Sequence, residues 1–141
     1  MTDNNLLLLQ EIRRDEGVVP HAYQDSLGYW TVGVGRLIDK RRGGKLSDDE
    51  IDYLLVNDIT RFVDELDAKL PWWRTLSPVR QRVMVNMAFN LGTAGLLGFR
   101  NTLRHVQAGR YDLAAKGMLA SKWSTQVKGR AVRLAEMMRT G

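Results

Sequence analysis

Glu16, Asp25 and Thr31 lie in one short stretch, RRDEGVVPHAYQDSLGYWTVGVGRL, and their side chains complement one another chemically. Two carboxyls held apart by a rigid turn, beside a hydroxyl, are the groups that hydrolysis of a glycosidic bond needs. One carboxyl protonates the leaving oxygen while the other activates a water from the opposite side. The spacing alone leaves a plainer reading open, because carboxylates are mostly solvated surface charges. A lone β-branched Thr is most often an ordinary strand residue.

Such a site needs ordered elements around it. Residues 5–16 pattern as a helix, with Leu9, Ile12 and Glu16 spaced by three and four. Gly17 stands where a left-handed cap would end that helix, which holds Glu16 at an ordered position. The run Leu6 to Leu9 reads as the core-facing start of the same helix. Asp25-Ser26-Leu27-Gly28 reads as a turn, and Tyr29 to Val34 as a strand. Alternation sets Tyr29, Thr31 and Gly33 on one strand face and Trp30, Val32 and Val34 on the other, so Thr31 can point with Asp25 into one cleft. Gly33-Val34-Gly35 is not a phosphate loop, since no GK[ST] follows and no helix starts there. Glycines in a strand mark a bend or a close ligand approach.

Asp39 to Lys45 reads as a polar, basic, Gly-rich loop. Ser47 to Glu50 forms a capping box that opens a helix of about 20 residues ending before Pro71. Its apolar stripe is Ile51, Leu55, Ile59, Phe62 and Leu66, and at 1.5 Å per residue it spans about 30 Å, enough to bridge two lobes. Ser77-Pro78 starts the next helix, with Ser as cap and Pro in the first turn. It carries Val79, Val83, Met87 and Asn90 on one face, and Gly92 follows. The rest reads as short helices broken at Gly98, at Gly109 and near Ser124, then a final helix from about Val127 to Met138. The fold class is α+β, with a small, acidic, hairpin-bearing lobe and a larger, basic, all-helical lobe.

A chain of 141 residues fits one domain with a core of its own. It has no cysteine, which excludes a disulfide framework and a thiol nucleophile and suits a reducing cytoplasm. His21 and His105 have no partners at ligand spacing, so no metal and no cofactor is expected. Residues 71–141 hold 12 Lys and Arg against two acids, Asp112 and Glu136, a balance of +10; residues 1–70 hold 9 against 14, a balance of −5. A basic half attracts polyanions such as nucleic acid, anionic membranes or an anionic cell wall, or serves only as a solvated surface. The leucine run is too short to span a membrane and lacks the basic flank of a signal peptide, so neither anchor nor signal is expected. Trp72 and Trp73, after Pro71, read as packing residues.

The segment DEG…YxDSLGYWTVGVG resembles the active-site signature of the T-even phage lysozymes, the phage-type muramidases of glycoside hydrolase family 24. The resemblance continues in collinear order through VRQRVMVNMAFNLGTAGLLGFRNTLRHVQAGRYDLAAKGMLASKW and QVKGRAV, covering nearly the whole chain. It implies a single lysozyme-like domain over 1–141: a hairpin lobe at about 17–46, a helical lobe from 1–16 and 71–141, a connecting helix at 47–70 and a cleft between the lobes. It implies that Glu16 is the general acid, that Asp25 is the second carboxylate and stays ionised, and that Thr31 positions the water. Inversion at the anomeric carbon follows from the same resemblance. Gly35, Leu37, Phe89, Asn90, Trp123 and Gln126 are implied as substrate-binding, with Asn90 standing where a glutamine is common. By base rate Trp123 is more often plain core. Arg130 matches a basic residue that supports the acid across the cleft; buried against Glu16, it would lower the acid's pKa and oppose its protonation.

Three departures stand out. The stretch from Arg36 to Ser47 is shorter than in larger relatives, which implies a smaller hairpin lobe. Arg36 replaces a histidine of a structural ion pair. The sequence ends at Arg139-Thr140-Gly141, before a last short helix. The leading expectation is an endolysin that cleaves the β-1,4 bond between N-acetylmuramic acid and N-acetylglucosamine for host lysis. It would be a monomer held in the host cytoplasm until a holin releases it, with peptidoglycan glycan strands as its partner and no membrane span. A lytic transglycosylase also uses a glutamate, but Asp25 and Thr31 then have no task. A wall-binding or tail-structural module without turnover would not need the triad. Nucleic-acid binding lacks stacked aromatics and a recognition helix.

Overall fold

The computed structural model describes residues 2–40 and 43–141. Arg41 and Arg42, in the middle of the loop expected at Asp39 to Lys45, lie outside the described residues. The chain falls into two compact units, Met1–Asp52 and Tyr53–Gly141.

The first unit opens with helix α1, Asp3–Glu16. The Thr2 hydroxyl accepts from the Asn5 amide, and Gly17, at φ +79°, ends the helix while its N–H donates to the Arg13 carbonyl. The glycine takes a backbone conformation that a side chain would disfavour. An antiparallel sheet follows in the order β1 (Val19–Gln24), β2 (Trp30–Gly33), β3 (Arg36–Leu37). Tyr23 pairs with Thr31 and Thr31 with Leu37, which puts Thr31 in the central strand. The expected hairpin therefore gains a third strand, whose two residues are too few for alternation to reveal.

Helix α2, Asp48–Lys69, carries the chain from the first unit into the second. Its start is the expected capping box: Ser47 Oγ accepts from the Glu50 amide at 3.3 Å, and Glu50 Oε1 accepts from the Ser47 amide at 3.2 Å.

The leucines of α1 are not core residues, contrary to expectation. Leu6 to Leu9 are 43–58% exposed. Within this unit a sheet of three short strands is too small to cover a 14-residue helix. Leu8, Leu9 and Ile12 instead share with Val34 an open apolar hollow of about 450 Å³.

The second unit holds α3 (Pro78–Leu91), α4 (Thr93–Leu97), α5 (Arg100–Gln107), α6 (Tyr111–Leu119), α7 (Lys122–Val127) and α8 (Gly129–Thr140). Ser77 caps α3 through the Arg80 amide, with Pro78 in the first turn as expected. Val83, Met84, Met87 and Ala88 of α3 are buried among Trp73, Leu96, Val106, Met118, Leu134 and Met138. Trp73 is 2% exposed, a packing residue as its sequence context suggests, and its indole N–H donates to Asp67. Of the expected stripe on α2 only Leu66 is buried, with Phe62 partly so. Leu55 and Ile59 form the wall of an open groove of about 640 Å³ with Val63, Val85 and Phe89.

The break expected near Ser124 lies earlier, at Ala120–Ser121. The Ser121 hydroxyl accepts from the Ser124 amide, so Ser121 is the cap and Ser124 lies inside α7. The final helix begins at Gly129 and not at Val127, because Lys128 turns the chain out of helical geometry at φ 50°, ψ −113°.

Candidate active site

In the first unit Glu16 is the last residue of α1 and is exposed. Among the described residues its side chain makes no hydrogen bond and no ion pair. Its carboxyl lies close to Gly35, in the turn between β2 and β3: a Cβ added at Gly35 would stand 3.2 Å from Glu16 Oε2.

Asp25 is half-buried just after β1. Its Oδ1 accepts from the amides of Leu27 and Tyr29, each at 2.9 Å. Its own amide donates to the Tyr29 carbonyl at 2.8 Å, and the Gly28 amide donates to the Asp25 carbonyl at 2.9 Å. The turn therefore uses one carboxylate oxygen as its keystone. Among the described residues the other oxygen has no hydrogen-bond partner, which leaves it able to accept a hydrogen bond in a fixed direction.

Thr31 is 4% exposed, more deeply placed than a residue expected to open into a cleft. Its hydroxyl donates to the Tyr29 carbonyl at 3.1 Å. With its proton committed there, the oxygen can act toward a water only as an acceptor.

Gly35 and Leu37 are brought together. With Gly44 and Lys45 they line a shallow hollow of about 420 Å³. Arg36 sits between them and forms an ion pair with Glu50 in the first turn of α2. Arg36 therefore takes up an ion pair of its own where the resemblance leads one to expect a histidine. The Arg36 hydrogen bond, helped by those from Ser47, lowers the Glu50 pKa to about 2.

In the second unit Phe89 and Asn90 lie near the end of α3. Asn90 Oδ1 accepts from the Trp123 indole N–H at 2.7 Å. Trp123 itself is 4% exposed, with its ring edge-on to Phe99 at 6.0 Å, so it packs in the core and orients the Asn90 amide. Phe89 is partly exposed against Phe62. Gln126 is exposed on α7. Arg130 is half-buried, and its Nε and Nη2 donate to Asn86 Oδ1 at 3.0 and 2.7 Å. Asn86 is absent from the sequence-based candidates. Its signal is position, since it lies three and four residues before Phe89 and Asn90 on one helix face.

A small antiparallel sheet with Thr31 buried in its central strand, Asp25 in the turn before that strand and Glu16 at the end of the preceding helix, in a chain otherwise built of helices, fits the α+β lysozyme-like fold class. The "Phage lysozyme" family pattern matches residues 13–139, and the chain belongs to that family. It is 28% identical to the pre-baseplate central spike protein Gp5 of Enterobacteria phage T4, over 97% of this chain and 28% of the spike protein. It is 25% identical to probable T4-type lysozyme 1 of Dictyostelium discoideum and 22% identical to probable T4-type lysozyme 2 of the same organism, over 92% of each chain in both cases. The chain thus spans about a quarter of the spike protein and nearly all of the two amoebal proteins. Among the described residues no helix is long and apolar enough to cross a membrane.

Proposed function

We propose that this chain is a muramidase that hydrolyses the β-1,4 bond between N-acetylmuramic acid and N-acetylglucosamine in peptidoglycan, with inversion. The observation that carries this reading is the hydrogen-bond frame around Tyr29, which fixes Asp25 and Thr31 together and leaves one Asp25 oxygen available. A water that donates one proton to Asp25 and the other to Thr31 Oγ1 has a lone pair left to attack the anomeric carbon. Glu16 protonates the departing oxygen. The attack comes from the face opposite the leaving group, so no glycosyl-enzyme intermediate forms.

In the same reading Gly35, Leu37, Phe89, Asn90 and Gln126 contact the glycan, and Trp123 acts through Asn90. Arg130 acts through Asn86, to which its guanidinium donates. The second unit, with 14 Lys and Arg against six acids, holds the anionic wall. As an endolysin the protein would act after a holin opens the membrane.

A second reading is favoured by the match to the spike protein: a phage tail module that is part of the virion. Antibody detection in purified virions separates the two, because an endolysin is absent from them.

The chemistry is tested by mass spectrometry of fragments released from purified peptidoglycan. Reducing N-acetylmuramic acid ends are expected. Anhydro ends would make the protein a transglycosylase, and binding without release would make it a wall-binding module. Proton NMR of the first product formed should show the α anomer; a β product would overturn inversion.

A further inference from the structure

Gly33 and Gly35 stand two residues apart where β2 turns into β3, and both have positive φ, +71° and +67°. A side chain at either place meets the same kind of backbone strain. Their surroundings differ. A Cβ at Gly33 has no atom within 4 Å, whereas one at Gly35 lies 3.2 Å from Oε2 of Glu16 and 3.7 Å from its Cδ.

The resemblance gives Gly35 a place in substrate binding. We propose a different role: Gly35 is a positioning residue for Glu16, and its bare Cα is the seat against which the acid's carboxyl rests. This inference rests on the proposed reading of Glu16 as the general acid. Among the described residues that carboxyl has no hydrogen bond or ion pair to aim it, so packing must do so. The Glu16 side chain leaves a rigid helix end at Gly17, and the β2–β3 turn closes on it. A methyl group at position 35 would force the carboxyl to shift or rotate. Proton delivery to a glycosidic oxygen requires hydrogen-bond geometry, and small misplacements of catalytic groups cost rate far out of proportion to their size. A glycan-contact role for Gly35 would be felt in substrate affinity; a seat for the acid is felt in turnover.

The test compares Gly35→Ala and Gly33→Ala, each made with Glu16 present and in the Glu16→Ala background, by thermal unfolding. Gly33→Ala should lower Tm equally in both. Gly35→Ala should lower it by about 2–4 °C more when Glu16 is present, since only then do methyl and carboxyl meet. Failure of Gly35→Ala to fold beside Glu16, with folding restored in the Glu16→Ala background, supports the seat equally. Equal losses in both backgrounds, or failure to fold in both, would overturn it.

On soluble uncrosslinked glycan strands, Gly35→Ala should lower kcat about 10-fold or more, with KM within twofold. A raised KM at unchanged kcat would return Gly35 to plain substrate contact. A wild-type protein that releases no muramic-acid-ended fragments would sink the functional reading alone. The unfolding comparison would still decide the contact between Gly35 and Glu16.

Discussion

Asp25 and Thr31 share one acceptor: the Asp25 amide and the Thr31 hydroxyl both donate to the Tyr29 carbonyl, at 2.8 and 3.1 Å. A residue in a turn and a residue in the central strand are thereby held in one frame. Replacing Thr31 by Val keeps the β-branched shape but removes the donor and the hydroxyl oxygen that would accept from a water. The carbonyl retains the Asp25 amide, so the stability loss should be modest, about 1 kcal/mol. Activity should fall about 100-fold or more, and Thr31→Ser should recover much of it. A Thr31→Val protein with near-native turnover would remove Thr31 from the mechanism.

The two carboxyls should separate from stability under isosteric amide substitution. Asn at position 25 still offers a carbonyl oxygen to the Leu27 and Tyr29 amides, so the turn persists while the charge is lost. Glu16 is exposed, and its carboxyl makes no hydrogen bond or ion pair among the described residues. Glu16→Gln should therefore change unfolding free energy by no more than about 0.5 kcal/mol. Both variants should lose about 10²- to 10⁴-fold in turnover, the range supplied by positioned acids and bases. Wild-type-like turnover in Glu16→Gln would sink the acid assignment; in Asp25→Asn it would limit Asp25 to holding the turn.

How much of this is readable from the residues depends on how locally each feature is decided. The stop at Gly17, the Ser47–Glu50 box and the Ser77–Pro78 start are readable because a cap is settled by atoms within four residues of it. Ser121 and Ser124 show the limit: two serines three apart are both plausible punctuation, and only the hydroxyl that meets an amide ends the ambiguity. Periodicity finds α1 and α2, yet it cannot say which apolar faces are covered. Leu6 to Leu9 and Leu55 are exposed here because covering them is a tertiary matter. Within the candidate site the residue types are legible and the connections are not. The Tyr29 carbonyl and the Asn86 amide escape notice because a backbone oxygen and a lone amide carry no pattern.

Acid should weaken the fold through two ion pairs. Hydrogen bonding to Arg36 holds Glu50 down to about 2, and hydrogen bonding to Arg74 and Trp73 holds Asp67 down to about 2. Both lie below their ordinary values of 4.5 and 3.8. A carboxyl with a depressed folded-state pKa binds fewer protons folded than unfolded, so its stabilisation is complete above the ordinary value. It is lost as pH falls from there toward about 2. Both pairs are solvent-exposed, so each contribution is small. Thermal unfolding followed from pH 6 down to pH 2 should show Tm falling mainly below pH 4.5. Glu50→Gln and Asp67→Asn should each flatten that fall. An unchanged acid limb in both variants would mean that these pairs are not coupled to folding.

Salt should distinguish capture of the wall from cleavage of the glycan. Residues 53–141 carry 14 Lys and Arg against six acids. Arg61, Arg74 and Arg139 are paired with Asp58, Asp67 and Glu136, whereas Arg82, Lys122 and Arg133 have no acidic partner among the described residues. Exposed charges attract an anionic wall over roughly a Debye length, about 10 Å at 0.1 M salt and 3 Å at 1 M. Raising salt from 0.05 to 0.5 M should lower retention on purified walls several-fold, while turnover on short, uncharged chitin-type oligosaccharides, if cleaved, should change much less. Arg82→Gln, Lys122→Gln and Arg133→Gln combined should mimic the high-salt result at low salt. Wall retention that ignores both salt and these substitutions would mean that affinity comes from contacts to the sugar itself, with the basic surface incidental.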